Sequence, residues 1–196
     1  MACFPVRTAR LLLRPFAADD LDAVYDLQSR PDVTRYLLYD VRDRGQAREA
    51  LQERIRAGQR GRDSDRLILA LAVVLPQTAV VIGDVGLYWQ SREHRQGEIG
   101  YVIHPDHAGH GYATEAARVM LGLGFDRFGL HRVVGRLDAR NTASARVLER
   151  LGMRREAHFV QNEFLKGEWT DELVYAMLSE EWRSARPEPS GPPSGS

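Results

Sequence analysis

Residues 97–104 read Gly-Glu-Ile-Gly-Tyr-Val-Ile-His, and residues 105–113, Pro-Asp-His-Ala-Gly-His-Gly-Tyr-Ala, follow them directly. The first stretch is apolar and β-branched, which predicts a strand that ends at the proline. The second stretch carries two glycines and leads into residues 112–128, where apolar residues recur at helical spacing. A valine-rich run at residues 131–137 predicts the next strand. Such a strand–helix–strand unit is right-handed by rule and makes part of a sheet parallel.

The segments outside this unit predict an antiparallel remainder of the sheet. Apolar, β-branched or turn-bounded runs predict strands at residues 8–14, 67–75, 80–89, 155–165 and 172–178, the last two joined at Lys166-Gly167. Amphipathic spacing predicts helices at residues 19–27, 31–38, 46–60 and 142–151. We therefore predict a mixed α+β fold with a largely antiparallel central sheet of about seven strands, flanked by helices and splayed where the pairing changes.

Length and charge narrow the class of protein. The 196 residues suit one domain, which we place at residues 1–183. Residues 184–196 are rich in Pro, Ser and Gly, and we expect a disordered tail there because they bury too little apolar surface. Lys plus Arg and Asp plus Glu balance at 27 each, which disfavours nucleic acid or an anionic membrane surface as a partner.

Cysteine and hydropathy bear on the compartment. Cys3 is the single cysteine, so the sequence offers neither a disulfide framework nor a thiolate metal cluster. Residues 1–16 lack the apolar run of a secretory signal, and residues 67–75 are too short to span a bilayer. We expect a cytoplasmic protein.

The connection at residues 107–113 is the candidate binding element. Gly109 and Gly111 permit positive φ and let a ligand approach the backbone. Outward N–H groups at the positive end of a helix dipole form a phosphate site. The spacing matches neither the dinucleotide fingerprint nor the P-loop. From the glycines alone, a turn that only caps a helix explains the pattern equally well.

Three motifs in combination resemble the GNAT acetyltransferase superfamily: Glu98–Pro105, Gly109–Ala116 and Asn141–Met153. Together with residues 8–15 and 165–171 they are most similar to the branch that acetylates the N-termini of ribosomal proteins. The resemblance extends over residues 7–182. It implies acetyl-CoA as co-substrate, no metal, and direct transfer to a primary amine, either a protein N-terminus or a small molecule, in a ternary complex. It also leaves a homodimer open.

The resemblance implies a coenzyme site made largely of backbone. The implied coenzyme-binding residues are Tyr101, Val102, Ile103, Ala108, Gly109, His110, Gly111, Tyr112, Ala113, Thr114, Asn141 and Ser144. Ala108 departs from the family pattern, which has a long polar side chain at this position. We therefore expect a grip made by backbone N–H groups, with assistance from Arg118 or His110.

The catalytic residues implied by the resemblance are Glu163, Glu98 and Ser144. Glu163 matches the branch's base, and Glu98, acting through water, is the rival. Ser144 would protonate the departing CoA thiolate, whose free pKa of about 8.5 makes the proton helpful; Tyr101 and Tyr112 are further candidates. Each has a plainer interpretation: solvated strand carboxylates, a serine hydroxyl satisfying a helix N–H, and Asn141 as an N-cap.

Three interpretations of the sequence other than acetyl transfer are possible. His104, His107 and His110 recur every third residue, but Pro105 and Gly109 prevent a helix with ligands on one face, so we expect no metal. The donor can be another acyl-CoA such as succinyl-CoA. The chain can also be a non-catalytic module that binds acyl-CoA as a sensor.

Overall fold

One sheet of eight strands organises the chain, and residues 4–60 and 67–185 are described in this computed structural model. The spatial order is β1-β2-β3-β4-β5-β6-β8-β7. The strands are β1 (Val6–Arg7), β2 (Leu12–Arg14), β3 (Leu67–Leu75), β4 (Val80–Ser91), β5 (Gln96–Ile103), β6 (Arg132–Asp138), β7 (Arg154–Leu165) and β8 (Glu168–Leu178).

Helices cover both faces of the sheet. They are α1 (Leu21–Gln28), α2 (Pro31–Thr34), α3 (Arg44–Arg60), α4 (Tyr112–Gly122), α5 (Thr142–Arg150) and α6 (Ser179–Ser184). Within the described residues, no helix is both long and apolar enough to cross a bilayer.

The pairing changes once, in the middle of the sheet. All other neighbours are antiparallel, but β5 and β6 are parallel and are paired only at Gln96↔Arg132, Gly97↔Val133 and Glu98↔Val134. Beyond Glu98 the two strands separate, while β5 remains paired with β4 as far as Ile103. The predicted mixed, largely antiparallel sheet with a splay at the change of pairing is confirmed.

The two faces of the sheet carry separate cores because strand side chains alternate. Leu71, Val85, Ile99 and Val133 face α4 and α5 in the larger core. Ala70, Ala72 and Val74 face the helices α1 and α3 in the smaller one. The helix that follows the glycine loop therefore lies on one face, and α1 and α3 lie on the other.

The structure corrects the predicted strand at residues 8–14. The Thr8 N–H donates to the Leu11 carbonyl, and the Leu11 N–H donates to the Thr8 hydroxyl oxygen. These bonds close a turn, so the segment forms the hairpin β1–β2. The sheet therefore has eight strands instead of about seven.

Three other predicted boundaries move. The helix expected at residues 31–38 ends at Thr34, whose carbonyl accepts from the Lys166 ammonium at 2.6 Å. The helix expected at 112–128 changes at Leu123–Arg127 into a π turn, in which Phe125 stacks on Trp182 at 5.9 Å. Strand β8 begins at residue 168, four positions earlier than predicted, because Lys166 and Gly167 both have positive φ and form a tight hairpin turn.

The predicted tail at 184–196 falls mostly outside the described part of the chain. Ser184 is the last residue of α6 and Ala185 follows it, and the predicted disordered tail stays a prediction. Residues 186–196 are not described.

Candidate functional site

A cleft opens where β5 and β6 separate. Strand β5 pairs with β4 through Tyr101, Val102 and Ile103, which lie opposite Val85, Asp84 and Gly83. The pairing of β5 with β6 ends at Glu98. The side of β5 that faces β6 therefore has no sheet partner along Tyr101–Ile103 among residues 4–60 and 67–185. Unpaired strand backbone of this kind accepts an extended amide-containing chain as an added strand.

The loop after β5 has the backbone geometry that its glycines predicted. Gly109 and Gly111 have φ of +81° and +79°, and no atom lies within 4 Å of an added Cβ at Gly109. Gly111 is the N-cap of α4 and offers no side chain to the first helical turn. The first N–H groups of α4 therefore lack a side-chain cap and are open to an anion.

The Thr114 hydroxyl bears on whether this loop fits a phosphate. Its Oγ1 is buried and has no hydrogen-bond partner among the described residues, although it lies in the first turn of α4. A buried hydroxyl without a partner is costly unless a ligand supplies one. The hydroxyl and the open N–H groups fit the pyrophosphate of CoA.

Asn141 and Ser144 border the same cleft from α5. The Ser144 N–H donates to Asn141 Oδ1 at 3.0 Å, so the N-cap interpretation of Asn141 is confirmed, and its Nδ2 group is a separate donor. The Tyr101 hydroxyl donates to the Ser144 carbonyl at 2.9 Å and ties β5 to this helical turn. Burial raises the pKa of Tyr101, so its phenol keeps this proton.

Glu163 lies on β7 opposite Thr170. Burial, followed by repulsion from Glu172, raises the pKa of Glu163 above the ordinary glutamate value, while Arg136 acts in the opposite direction. A carboxylate with a raised pKa accepts a proton more readily near neutral pH. Among the two predicted bases, this environment favours Glu163.

The Glu98 carboxylate has polar partners on both neighbouring strands. Its Oε2 accepts from Gln90 Nε2 at 2.5 Å and lies 3.9 Å from Arg136 Nε. The same guanidinium lies 3.2 Å from the Glu172 carboxylate through Nη1. Arg136 therefore bridges the two carboxylates.

Arg136 and Glu172 are the site residues that sequence reasoning missed. Glu172 is only 4% exposed and also accepts from Asn162 Nδ2 at 3.0 Å. The available signal was a charged residue within or at the start of an apolar strand run, Arg136 after Val133 and Val134 and Glu172 before residues 173–178. Because the residues are 36 positions apart, only the β6–β8 register brings them together.

The two predicted assistants of the loop contact different groups. The His110 ring Nδ1 lies 2.9 Å from the Ala108 carbonyl oxygen within the loop. Arg118 donates to the Arg150 carbonyl at 3.3 Å, near the end of α5. The His110 ring stacks on Tyr112 at 5.5 Å. The cation at this loop is instead Arg10, whose Nη1 donates to the His110 carbonyl at 2.7 Å.

The three histidine rings do not converge on one point. The His104 and His107 rings lie edge to face at 6.1 Å, while His110 stacks on Tyr112. Over residues 4–60 and 67–185, no group of three His, Cys, Asp or Glu side chains converges as metal ligands would. The expectation of a metal-free site stays a prediction.

A cavity of about 320 Å³ lies beside the hairpin that carries Glu163. It is formed by the segment after α1, by the residue next to Asn141, and by the β7–β8 turn. Its lining residues are Pro31, Thr34, Arg35, Asp40, Val41, Arg140, Leu165, Lys166 and Glu168. Two of the lining residues connect it to the predicted site along the chain, since Arg140 precedes Asn141 and Leu165 ends the strand that carries Glu163.

Comparisons with known proteins agree with this geometry. A family model described as an acetyltransferase (GNAT) domain matches residues 10–154. The curated "Uncharacterized N-acetyltransferase YnaD" of Bacillus subtilis (strain 168) is 34% identical over 177 residues, which cover 90% of this chain and 98% of that protein.

Solved structures give the same result. A GNAT-family acetyltransferase from Bacillus anthracis superposes with a TM-score of 0.81 at 32% identity, covering 91% of this chain and 100% of that one. A spermidine N-acetyltransferase from Vibrio cholerae, solved with CoA and spermine, has a TM-score of 0.75 at 22% identity, covering 90% and 99%. The second likeness concerns the fold alone.

Proposed function

This chain belongs to the GNAT acetyltransferase family, and we propose that it uses the β5–β6 cleft to transfer acetyl from acetyl-CoA to a primary amine in a ternary complex. The single observation that carries the site assignment is the orphaned, buried Thr114 hydroxyl beside a glycine loop that opens onto this cleft. Family membership favours acetyl transfer over succinyl transfer and over a non-catalytic sensor.

On the donor side, the pyrophosphate binds the backbone of Ala108–Ala113 and the Thr114 hydroxyl. The pantetheine arm adds to the free side of Tyr101–Ile103 and meets the Asn141 amide. One N–H of that strand polarises the thioester carbonyl and stabilises the oxyanion of the tetrahedral intermediate. The donor elements α4 and α5 lie on one face of the sheet.

The proton-accepting groups face the other side. The register places Glu98, Arg136 and Glu172 on the face that also carries Ala70 and Ala72, opposite to α4. Glu163 shares this face because its partner Thr170 is two residues from Glu172. The donor and the acceptor therefore approach the cleft from opposite faces, as a ternary complex requires.

The chemical step follows from these positions. Glu163 takes a proton from the bound ammonium, and the nitrogen lone pair attacks the thioester carbon. The tetrahedral intermediate still carries a second proton on its nitrogen. As it collapses, the C–S bond breaks and the CoA thiolate takes the Ser144 proton, while the serine oxygen regains a proton from that nitrogen through water. The neutral amide, the CoA thiol and protonated Glu163 remain, and Glu163 returns its proton to solvent. Glu98 is held by Gln90 and Arg136, so it acts through water or as an electrostatic neighbour.

The acceptor enters through the cavity of about 320 Å³ beside the β7–β8 turn. Its lining has both signs of charge, Arg35, Arg140 and Lys166 against Asp40 and Glu168, which suits an amine that carries further polar groups. Peptide N-termini and polyamines both meet this description. Within the family, residues 165–171 resemble the branch that acetylates protein N-termini, so a protein N-terminus is our first choice of acceptor.

The deciding experiment is CoA release from acetyl-CoA with a panel of amines: peptides that begin with Ala or Ser, spermidine, spermine and free amino acids. Turnover on one class names the acceptor. Glu163→Gln is expected to lower kcat about 100-fold, the usual size of a general-base contribution, with the acetyl-CoA Kd unchanged. Glu156→Gln, which changes a carboxylate of the same strand outside the cavity lining, is the matched control.

Two outcomes contradict the proposal. CoA binding without turnover on any amine favours the sensor. Full turnover in Glu163→Gln transfers the base role to Glu98 or water.

We also propose that residues 1–183 form a single catalytic domain that works in the cytoplasm. Acetyl-CoA as donor and the single Cys3 support this setting. Assembly as a homodimer is part of the same proposal, and light scattering tests it.

A further inference from the structure

The pyrophosphate loop lacks a cation of its own. Ala108 stands where the family has a long polar side chain, and residues 104–113 contain histidines but no lysine or arginine. The cation that contacts the loop comes from the β1–β2 turn instead, about 100 positions away in sequence. It is Arg10, whose side chain is 49% exposed.

Arg10 is held in one place by several bonds. Its Nη1 donates to the His110 carbonyl at 2.7 Å, and its Nε donates to Glu115 Oε2 at 2.8 Å. The Arg10 backbone N–H and the Thr8 hydroxyl both donate to Glu115 Oε1, at 3.0 and 2.6 Å. The guanidinium also lies 5.0 Å from the centre of the Tyr112 ring.

Glu115 presents a problem for a phosphate site. It lies in the first turn of α4, whose open N–H groups are the proposed donors to the pyrophosphate. Burial acts to raise the pKa of Glu115, but hydrogen bonds from Thr8 and Arg10 outweigh it and hold the pKa below the ordinary value. The carboxylate is therefore ionised, and without compensation it would repel the incoming anion.

The bond to His110 bears on the shape of the loop. Because the His110 carbonyl accepts from Arg10, this acceptor is occupied and does not compete with the pyrophosphate for donors. An added Cβ at Gly111 would lie 3.5 Å from Arg10 Nη2, so the guanidinium runs alongside the residue that begins the helix. One side chain therefore neutralises Glu115 and fixes the loop backbone.

We infer that Arg10 is the positioning residue of the CoA site: it cancels the charge of Glu115 and takes the place of the cation missing at position 108. This inference rests on the coenzyme site of the proposed function. Arg10 acts through Glu115 and the loop, whereas the backbone N–H groups contact the phosphates.

The test compares Arg10→Gln, Glu115→Gln and the double variant, with Arg44→Gln as control because Arg44 also pairs with a carboxylate, Asp22, at the surface. CoA affinity is measured by calorimetry at low salt, and acetyl-pantetheine serves as a thioester without pyrophosphate. For Arg10→Gln we expect a rise of about tenfold in the CoA Kd, or about 1.4 kcal/mol. The acetyl-pantetheine KM and the kcat at saturating acetyl-CoA stay within about twofold.

The double variant decides the mechanism. With Glu115 neutral, CoA affinity returns to within about threefold of the parent chain, and added salt reduces the defect of Arg10→Gln. A double variant as weak as Arg10→Gln overturns the inference, since Arg10 would then bind phosphate directly. Equal losses for CoA and acetyl-pantetheine overturn it as well, because they indicate general damage. If the parent chain itself fails to bind CoA, the proposed function is what fails.

Discussion

The carboxylate cluster makes a quantitative prediction for Glu172→Gln, which removes a buried charge and keeps the side-chain shape. Glu172 lies diagonally across β8 from Glu163, whose direct partner is Thr170. Diagonal neighbours have Cβ atoms about 7 Å apart. At an effective dielectric constant of about 40, between the surface and bulk values, two unit charges at that distance repel by about 1.2 kcal/mol. This free energy corresponds to about 0.9 of a pKa unit.

The sign follows from the role of Glu163. A base works only when ionised, so kcat/KM rises as the pH rises through its pKa. Burial and the negative charge of Glu172 raise the pKa of Glu163. Removing that charge lowers the pKa, and the acid limb of the pH profile moves to lower pH by about 0.9 unit.

The assay is thiol release over about pH 5 to 9, with one acceptor amine for all variants so that its own titration is common to them. Glu156→Gln is the control, since this β7 carboxylate pairs with Arg132 and Arg154 and lies outside the cavity lining. An acid limb that stays at the parent position in Glu172→Gln refutes the electrostatic coupling. A normal limb in Glu163→Gln refutes the base assignment itself.

Two further predictions concern the loop and the acid stability of the fold. Thr114→Val removes a buried hydroxyl that has no partner in the described residues. The free energy of unfolding of the unliganded chain, measured by thermal unfolding, therefore rises by about 1 kcal/mol, while CoA affinity falls about tenfold. Asp20 is 5% exposed; although burial raises its pKa, hydrogen bonds from Arg14 and the Ala17 N–H hold that pKa below the ordinary value. Its stabilisation is present above about pH 4 and is lost as the pH falls, so urea unfolding of Asp20→Asn shows a loss of about 3 kcal/mol at pH 7 and a much smaller one at pH 2.

Much of the fold could be predicted because local patterns carried it. The apolar runs at residues 67–75 and 80–89 gave the β3–β4 hairpin, and Asn141 capped α5 as its type suggests. The hairpin within residues 8–14 was missed although its hydrogen bonds are local. The helix predicted beyond Thr34 failed where a long-range bond overrode local propensity. The carbonyl of Thr34 accepts from Lys166, 132 positions away, at the point where the predicted helix stops.

The candidate site divides in the same way. The loop glycines and the motif around Asn141 were visible in sequence because a positive φ and a helix cap each demand particular residue types. Arg136, Glu172 and Arg10 were missed because an isolated charged residue in a strand or turn has no local signature. Their partners, Glu98 and Glu115, are identified only by register and packing.

The sequence by itself determined two features, the glycine loop between a strand and a helix and the family to which the chain belongs, and the proposed acyl-donor site rests on them. These features depend on backbone conformation, and backbone conformation is encoded within a few residues. Only the tertiary structure decided how charge is arranged around the cleft. Electrostatic interactions act through space, so the sequence does not reveal that Arg10 of the β1–β2 turn pairs with Glu115 and bonds to the His110 carbonyl of the loop.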